Sequence, residues 1–153
     1  MKDGWEIERK FLVRREALPP LAPGERIAQV YLGFDPTVRV RLQAGRGYLT
    51  VKGRGLAARR ELELEIAAEA AGALMDFRVA GTIAVEKTRY RVRWGGRTWE
   101  VDVFEGPLEG LVLAEVELDS LDAALDTPPW ADQEVTDDPS YQNANLAKAG
   151  NPP

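Results

Sequence analysis

Apolar and charged residues alternate with a period of two along most of the chain, which is the pattern of a β-strand with one apolar and one polar face. The clearest case is the segment 37–43, where Val or Leu fills every second position and Arg39 and Arg41 lie between them. The same pattern predicts eight strands, over residues 5–13, 27–34, 37–43, 48–52, 59–66, 83–94, 98–104 and 111–118. Because short turns join most of these segments, we predict a mainly β fold with an antiparallel sheet.

Few segments predict helix. The Ala-rich residues 67–79 are the best candidate, because Ala is the strongest helix former. Ser120 is a suitable N-cap for a short helix over residues 120–125. We predict a loop over the Pro-rich residues 14–26, and one strand fragment followed by a short helix in the tail, residues 134–148.

The polar face of each strand carries charges of mostly one sign. The acidic pairs are Glu6 with Glu8, Glu61 with Glu63 and Glu115 with Glu117, and the basic rows are Arg39 with Arg41 and Lys87 with Arg89 and Arg91. A solvated face explains any single strand, but like charges repel across a sheet unless opposite charges or ions face them. A sheet closed into a barrel resolves this conflict, with the charges in the lumen and the apolar faces outside, covered by helices.

The composition narrows the chemistry available to such a lumen. The 153 residues include no Cys and no His, and 29% of them are charged. Disulfides, thiolate nucleophiles, imidazole bases and His-ligated metals are therefore excluded. Catalysis has to use carboxylates, Lys, Arg, Tyr, Ser or Thr, and a bound metal has to be of the hard, oxygen-preferring kind.

The overall charge is acidic, with a formal net charge of -5 and a pI near 4.9. This balance argues against nucleic-acid binding, although basic residues concentrated in 37–52 and 87–93 allow a local positive cavity. We find no apolar run that could span a bilayer and no basic-then-apolar leader, so we expect a cytoplasmic protein without a membrane partner. We expect residues 1–153 to form one domain. The sequence leaves the oligomeric state open, a homodimer included.

The first strand places Glu6, Glu8 and Lys10 on one face. Two acids about 7 Å apart gain little from this arrangement unless a cation lies over them. A divalent metal or a facing row of Lys and Arg would supply one. A lumen lined by both signs suits a polyanion bound with a divalent metal, because bases grip phosphates and acids hold the metal that bridges them.

These residues also carry a family resemblance. The segment Glu6-Ile7-Glu8-Arg9-Lys10 is similar to the Glu-x-Glu-x-Lys signature of the CYTH domain, in the triphosphate tunnel metalloenzyme superfamily. Other segments resemble the family in the same order and span almost the whole chain: 29–32, Arg39-x-Arg41, 49–52, Arg59-x-Glu61-x-Glu63, 86–90, 100–104, 114–117, Pro129-Trp130, 134–136, and Tyr141-x-Asn143 followed by Leu146-Ala147. The resemblance implies an eight-stranded antiparallel β-tunnel, a closed barrel with helices outside, that hydrolyses or cyclises a small triphosphate compound with Mg²⁺ or Mn²⁺.

The resemblance also implies roles for individual residues. Metal-side carboxylates would be Glu6, Glu8, Asp102, Glu115 and Glu117, and the phosphate clamp would be Lys10, Arg39, Arg41, Lys52 and Arg89. The acids Glu61 and Glu63 would line the tunnel. Lys87 and Tyr31 would act together to activate water, and a Lys crowded by cations can have the lowered pKa that this role needs. The other interpretation of Lys87 is one more phosphate contact.

The family departs from this chain at one position, and its members differ in activity. Members of this kind usually have Gly where this chain has Val30, which we expect to point away from the lumen. Hydrolysis of inorganic triphosphate is the leading hypothesis for the function. The alternatives are a class IV type adenylate cyclase, a thiamine triphosphatase and a polyphosphate- or nucleotide-binding module without turnover.

Overall fold

The computed structural model describes residues 1–153 and contains nine β-strands and two α-helices. The strands are β1 (Lys2–Val13), β2 (Glu25–Phe34), β3 (Thr37–Gln43), β4 (Arg46–Lys52), β5 (Ala58–Ile66), β6 (Val85–Trp94), β7 (Arg97–Phe104), β8 (Val112–Glu117) and β9 (Ala131–Glu134). The helices are α1 (Ala68–Met75) and α2 (Asn143–Ala149), and single 3-10 turns lie at Arg15–Ala17, Gly106–Leu108 and Pro139–Tyr141. Neither helix is both long and apolar enough to cross a membrane.

Eight of the strands form a closed antiparallel barrel, as the sequence predicted. Going round the barrel the order is β5-β4-β3-β2-β6-β7-β8-β1, and β1 pairs with β5 to close it. The 12-residue β1 makes the closure possible because its residues 2–7 pair with β5 while its residues 8–12 pair with β8. The short β9 lies against the end of β1, outside the eight-stranded ring.

The strand register brings opposite charges together inside the barrel. Directly paired positions include Glu6 with Arg59, Lys10 with Glu115, Lys52 with Glu61 and Arg89 with Asp102. Cross-strand partners point to the same face, so these opposite charges meet in the lumen. Two other lumen pairs oppose like charges, because Glu8 lies across from Glu117 and Glu100 lies across from Glu115.

Two apolar clusters cover the outside of the barrel. In one, Val30 and Val40 pack against Ala71 of α1, so Val30 points away from the lumen as predicted. In the other, Trp99 packs edge-on against Trp130, with ring centroids 5.4 Å apart. No helix covers this second cluster; the irregular segments around Leu18 and Leu125 pack against it instead.

A third apolar cluster closes one end of the barrel. Val85, Phe104 and Leu113 lie in phase with lumen-facing charged residues, and they pack against Leu146 and Ala147 of α2. Both α2 residues are completely buried. The C-terminal helix therefore plugs one end of the tunnel and forms its floor.

Two helix predictions differ from the structure. Residues 120–125 form a turn and irregular chain rather than a helix. Leu121 is 64% exposed, whereas Leu125 packs on the Trp99 cluster. The segment is short and has no shared apolar face, so nothing stabilises a helix there. Helix α1 ends at Met75, before the predicted Val79, because the chain turns away and the Val79 N–H donates to the Tyr31 carbonyl at 2.9 Å.

Candidate active site in the tunnel

The tunnel encloses a cavity of about 190 Å³ lined almost entirely by polar side chains. Nine basic and seven acidic residues line it, so the lumen is more basic than the chain as a whole. Every predicted site residue except Asp102 belongs to this lining. Exposure falls towards the floor: Arg91 and Glu117 have side chains 51% and 65% exposed, whereas that of Lys87 is 2% exposed.

A buried lysine ties together two of the acidic rows. The Lys52 Nζ atom lies 2.8 Å from Glu6 Oε2 and 3.1 Å from Glu61 Oε2, and Arg59 Nε lies 3.5 Å from Glu6. Burial alone would raise the pKa of Glu6, but Lys52 and Arg59 lower it to about 2. Glu6 is therefore held as an anion by protein cations, and Glu61 shares the Lys52 amine with it.

Glu8 differs from Glu6 because it makes no ion pair, although it faces the same cavity. Its carboxyl group adjoins that of Glu115, which pairs with Lys10 Nζ at 3.4 Å. Burial, together with the charges of Glu115 and Glu6, raises the pKa of Glu8 well above its usual range. Glu8 and Glu115 are adjoining, partly buried carboxylates, and Glu8 has no cationic partner, so the pair is suited to a hard divalent cation.

No three acidic side chains converge closely enough to hold a metal by themselves. Mg²⁺ is commonly bound through one or two carboxylates, with waters and substrate phosphates completing its shell. The pair Glu8 and Glu115 fits that pattern. Glu117 lies nearer the open end and is 4.0 Å from Lys2.

Arg39 and Arg41 form the least satisfied group of cations in the lumen. Each guanidinium lies 3.5 Å from the same oxygen of Glu63. The Nε atoms of both arginines are buried without a hydrogen-bond partner. Burial and the neighbouring Arg39 lower the pKa of Arg41 to about 10. These unpaired donors would be satisfied by a multivalent anion.

Lys87, Arg89 and Asp102 form a buried cluster just above the floor. Arg89 binds Asp102 through Nε at 2.7 Å and Nη2 at 2.8 Å, and Lys87 Nζ lies 2.7 Å from Asp102 Oδ2. Both Asp102 oxygens are thus occupied, and the side chain does not line the cavity. This geometry gives no support to the predicted metal-ligand role of Asp102. The pKa of Lys87 is lowered to about 8. Burial is the main cause; the charge of Asp102 raises the pKa, and the charge of Arg89 lowers it further.

Tyr31 lines the cavity but makes no direct hydrogen bond to Lys87. The two are linked through two amides: Gln29 Nε2 lies 3.5 Å from the Tyr31 hydroxyl and 3.1 Å from Asn143 Oδ1, and Lys87 Nζ donates to Asn143 Oδ1 at 2.9 Å. Burial raises the pKa of Tyr31 above 10, so its hydroxyl is neutral near pH 7.

The sequence interpretation assigned no role to several residues that line the tunnel or support it. Asn143 and Gln142 line it from α2 and the preceding turn, Arg59 lines it from β5, and Gln29 supports its floor. Arg59 and Asn143 lie in segments that resemble the family, and this resemblance was the one indication in the sequence that they belong to the site. Neutral amides carry no charge pattern, so their place in the site depends on contacts between distant parts of the chain.

Comparison with known proteins agrees with this geometry. The CYTH domain profile matches residues 5–148. The chain is 44% identical over 148 residues to an inorganic triphosphatase of Acetivibrio thermocellus, covering 95% of this chain and 94% of that protein. It is 38% identical over 155 residues to an inorganic triphosphatase of Nitrosomonas europaea, covering 93% and 96% respectively.

The fold is shared with solved structures. A crystal structure described as an inorganic triphosphatase is 37% identical to this chain and superposes with a TM-score of 0.66, covering 94% of each chain. The profile match covers nearly the whole barrel and the two relatives align over nearly their full length, so the chain belongs to the CYTH domain family.

Proposed function

We propose that this protein hydrolyses inorganic triphosphate inside the tunnel, with a divalent metal ion. The observation that carries the proposal is the pair of buried, unpaired Nε donors of Arg39 and Arg41 in a lumen with more bases than acids. Such donors are costly to bury unless a ligand supplies acceptors. The two relatives named as inorganic triphosphatases, aligned over nearly their whole length, support the same substrate.

The lining favours inorganic triphosphate over an organic triphosphate. Only Tyr31 and Ala144 are hydrophobic among the 22 lining residues. A nucleobase or a thiamine ring needs an apolar or aromatic platform, and the cavity offers little of one. We therefore propose that ATP and thiamine triphosphate are poorer substrates.

CYTH triphosphate tunnel enzymes are metal-dependent. We propose that Glu8 and Glu115 hold Mg²⁺ or Mn²⁺ in this protein, because they adjoin each other and Glu8 lacks a protein cation. When bound, the metal ion would neutralise phosphate oxygens and so favour phosphoryl transfer.

The protein's own groups have distinct tasks in this proposal. Arg39 and Arg41 donate to the phosphate oxygens through atoms that have no other partner. Lys10, Lys52 and Arg89 add positive charge while remaining paired with acids. Because burial lowers the pKa of Lys87 to about 8, part of its amine is neutral near pH 7, and this neutral form accepts the proton that the attacking water releases.

The test is phosphate release from inorganic triphosphate, ATP and thiamine triphosphate, side by side, with and without Mg²⁺ or Mn²⁺, and with cyclic AMP assayed in parallel. We expect metal-dependent release with kcat/KM at least about tenfold higher for inorganic triphosphate. Cyclic AMP formed from ATP would identify a cyclase instead. Triphosphate binding without turnover would reduce the function to a binding module.

Paired variants test the assignments. Glu8→Gln should raise the metal concentration for half-maximal activity by about tenfold or more, while Glu65→Gln, an exposed carboxylate at the rim, should not change it. Arg41→Gln should raise KM for triphosphate, while Arg46→Gln, which is 65% exposed, should not. Equal effects within either pair would contradict the corresponding role.

A further inference from the structure

The side chain of Asn143 lies where the floor of the tunnel meets Lys87. Its Oδ1 atom accepts hydrogen bonds from Lys87 Nζ at 2.9 Å and from Gln29 Nε2 at 3.1 Å. A lysine amine presents no acceptor while it is protonated, so Lys87 fixes Oδ1 as the acceptor atom of Asn143. Both of its partners come from barrel strands, β6 and β2, although Asn143 itself begins α2.

The Lys87 amine is held from two sides. Asp102 Oδ2 of β7 lies 2.7 Å away, and Asn143 Oδ1 of α2 lies 2.9 Å away. The lysine side chain is 2% exposed. An ammonium has three hydrogens, so two fixed acceptors leave one direction for a ligand in the cavity. The position of that remaining hydrogen depends on Asn143 as well as on Asp102.

We propose that Asn143 is a positioning residue for Lys87, through which the C-terminal helix completes the active site. The proposal rests on the proposed function, since it assigns Asn143 to the same reaction. Removing the amide leaves Lys87 with Asp102 alone, and the flexible four-carbon side chain then has more than one accessible orientation.

Helix α2 is anchored well enough for this task. Leu146 and Ala147 are completely buried in the floor cluster, and the Ile83 N–H donates to the Ala147 carbonyl at 2.9 Å. The turn before α2 contacts a second lumen lysine, because Lys10 Nζ donates to the Tyr141 carbonyl at 3.1 Å. Residues 141–143 thus touch two lysines of the tunnel, and neither contact is made by a solvent-exposed group.

The kinetic test compares Asn143→Ala with Asn145→Ala. Asn145 lies in the same helix but bonds to the Pro139 carbonyl, at 2.7 Å, and not to a barrel lysine. We expect Asn143→Ala to lower kcat for triphosphate by about 10- to 100-fold, with KM changed by less than about threefold. Asn145→Ala should retain kcat, and Asn143→Asp, which keeps an acceptor oxygen, should recover part of the loss. A raised KM with unchanged kcat would show a substrate contact instead and overturn the proposal.

The structural test does not depend on turnover. Crystal structures of the wild type, Asn143→Ala and Asn143→Asp would locate the Lys87 amine in each. We expect the amine to move or to adopt several conformers in Asn143→Ala and to keep its place in Asn143→Asp. An amine unmoved in Asn143→Ala would overturn the proposal, even if wild-type turnover were confirmed. If the wild type does not hydrolyse triphosphate, the proposed function fails, and displacement of the amine still decides the positioning role. Should Asn143→Ala not fold, Asn143→Ser, whose hydroxyl is shorter than the amide, replaces it.

Discussion

Lys52 joins Glu6 and Glu61 inside the barrel, with its Nζ atom 2.8 Å from one carboxylate and 3.1 Å from the other. The side chain of Lys52 is 8% exposed, that of Glu6 is 13% exposed and that of Glu61 is 5% exposed. The contact connects β4 to β1 and β5, the two strands that close the barrel. Lys52 therefore stabilises the closure, whatever it contributes to phosphate binding.

Replacing Lys52 by Met should destabilise the fold, because it leaves two largely buried carboxylates with less compensating charge. We expect Lys52→Met to lower the free energy of unfolding by about 3 kcal/mol, as for other broken buried ion pairs. Urea denaturation measures the change. The control is Arg54→Met: Arg54 pairs with Asp35 at 2.8 Å, but its side chain is 88% exposed. That variant should lose much less stability than Lys52→Met, because solvent screens an exposed ion pair. Equal losses would mean that the lumen ion pairs are as weak as surface ones.

Tyr31 should matter less for the reaction than Lys87. Its buried hydroxyl is neutral near pH 7 and lies 3.5 Å from the Gln29 amide, so it can orient a ligand but cannot act as a base there. We expect Tyr31→Phe to lower kcat by about tenfold and Lys87→Met by about a hundredfold or more. Steady-state kinetics on inorganic triphosphate compares them, with Tyr90→Phe, on the outer face, as the control for loss of a hydroxyl. A larger loss in Tyr31→Phe than in Lys87→Met would contradict this order.

The period-two pattern was enough to predict the barrel strands, because burial of one face repeats at every second residue. The segment 37–43 was predicted with its observed ends, since Pro36 before it and the glycines at 45 and 47 after it signal turns. Closure into a barrel followed from charge, because rows of one sign need partners of the other. One such pair is Glu6 of β1 and Arg59 of β5, which lie directly opposite each other in neighbouring strands.

The rest of the site depended on contacts that no local pattern reports. Asp102 was grouped with the metal-side acids, yet its position opposite Arg89 across a hairpin engages it in a salt bridge. Asn143 is an uncharged residue 56 positions after Lys87, and only the packing of α2 into the barrel end brings the two together. The sequence also could not show that Glu8 lacks a cation while Glu6 has two, because both lie on the same face of β1.

The ion pair between Arg9 and Glu134 should make stability depend on acid pH. Arg9 binds Glu134 through Nε at 2.8 Å and Nη2 at 2.6 Å, fastening β9 to β1. Hydrogen bonds from Arg9 lower the pKa of Glu134 below its ordinary 4.5, so the stabilisation is complete above about that pH and is lost as the pH falls through the lowered value.

Glu134→Gln tests this dependence. Because the two side chains are 31% and 36% exposed, we expect the variant to be less stable than the wild type by only about 0.5–1 kcal/mol at pH 7. The difference should shrink below pH 4.5, as measured by urea denaturation across the pH range. Glu109→Gln, which changes an exposed residue, should match the wild type throughout. A difference between wild type and Glu134→Gln that does not vary with pH would assign the effect to packing rather than to charge.

Two glycines should respond in opposite directions to the same added methyl group. A Cβ atom on Gly47 of β4 would lie 2.7 Å from the Ala71 Cβ atom and 2.9 Å from the Ile66 carbonyl oxygen, whereas one on Gly72 of α1 would meet nothing within 4 Å. Gly47→Ala should therefore lower the free energy of unfolding by about 1–3 kcal/mol, and Gly72→Ala should raise it by about 0.5–1 kcal/mol, because Ala favours helix. Urea denaturation of both variants measures the two changes. A Gly47→Ala variant as stable as the wild type would mean that α1 can move away from β4 without cost. Close contact between the helix and the barrel wall would then not be what holds α1 in place.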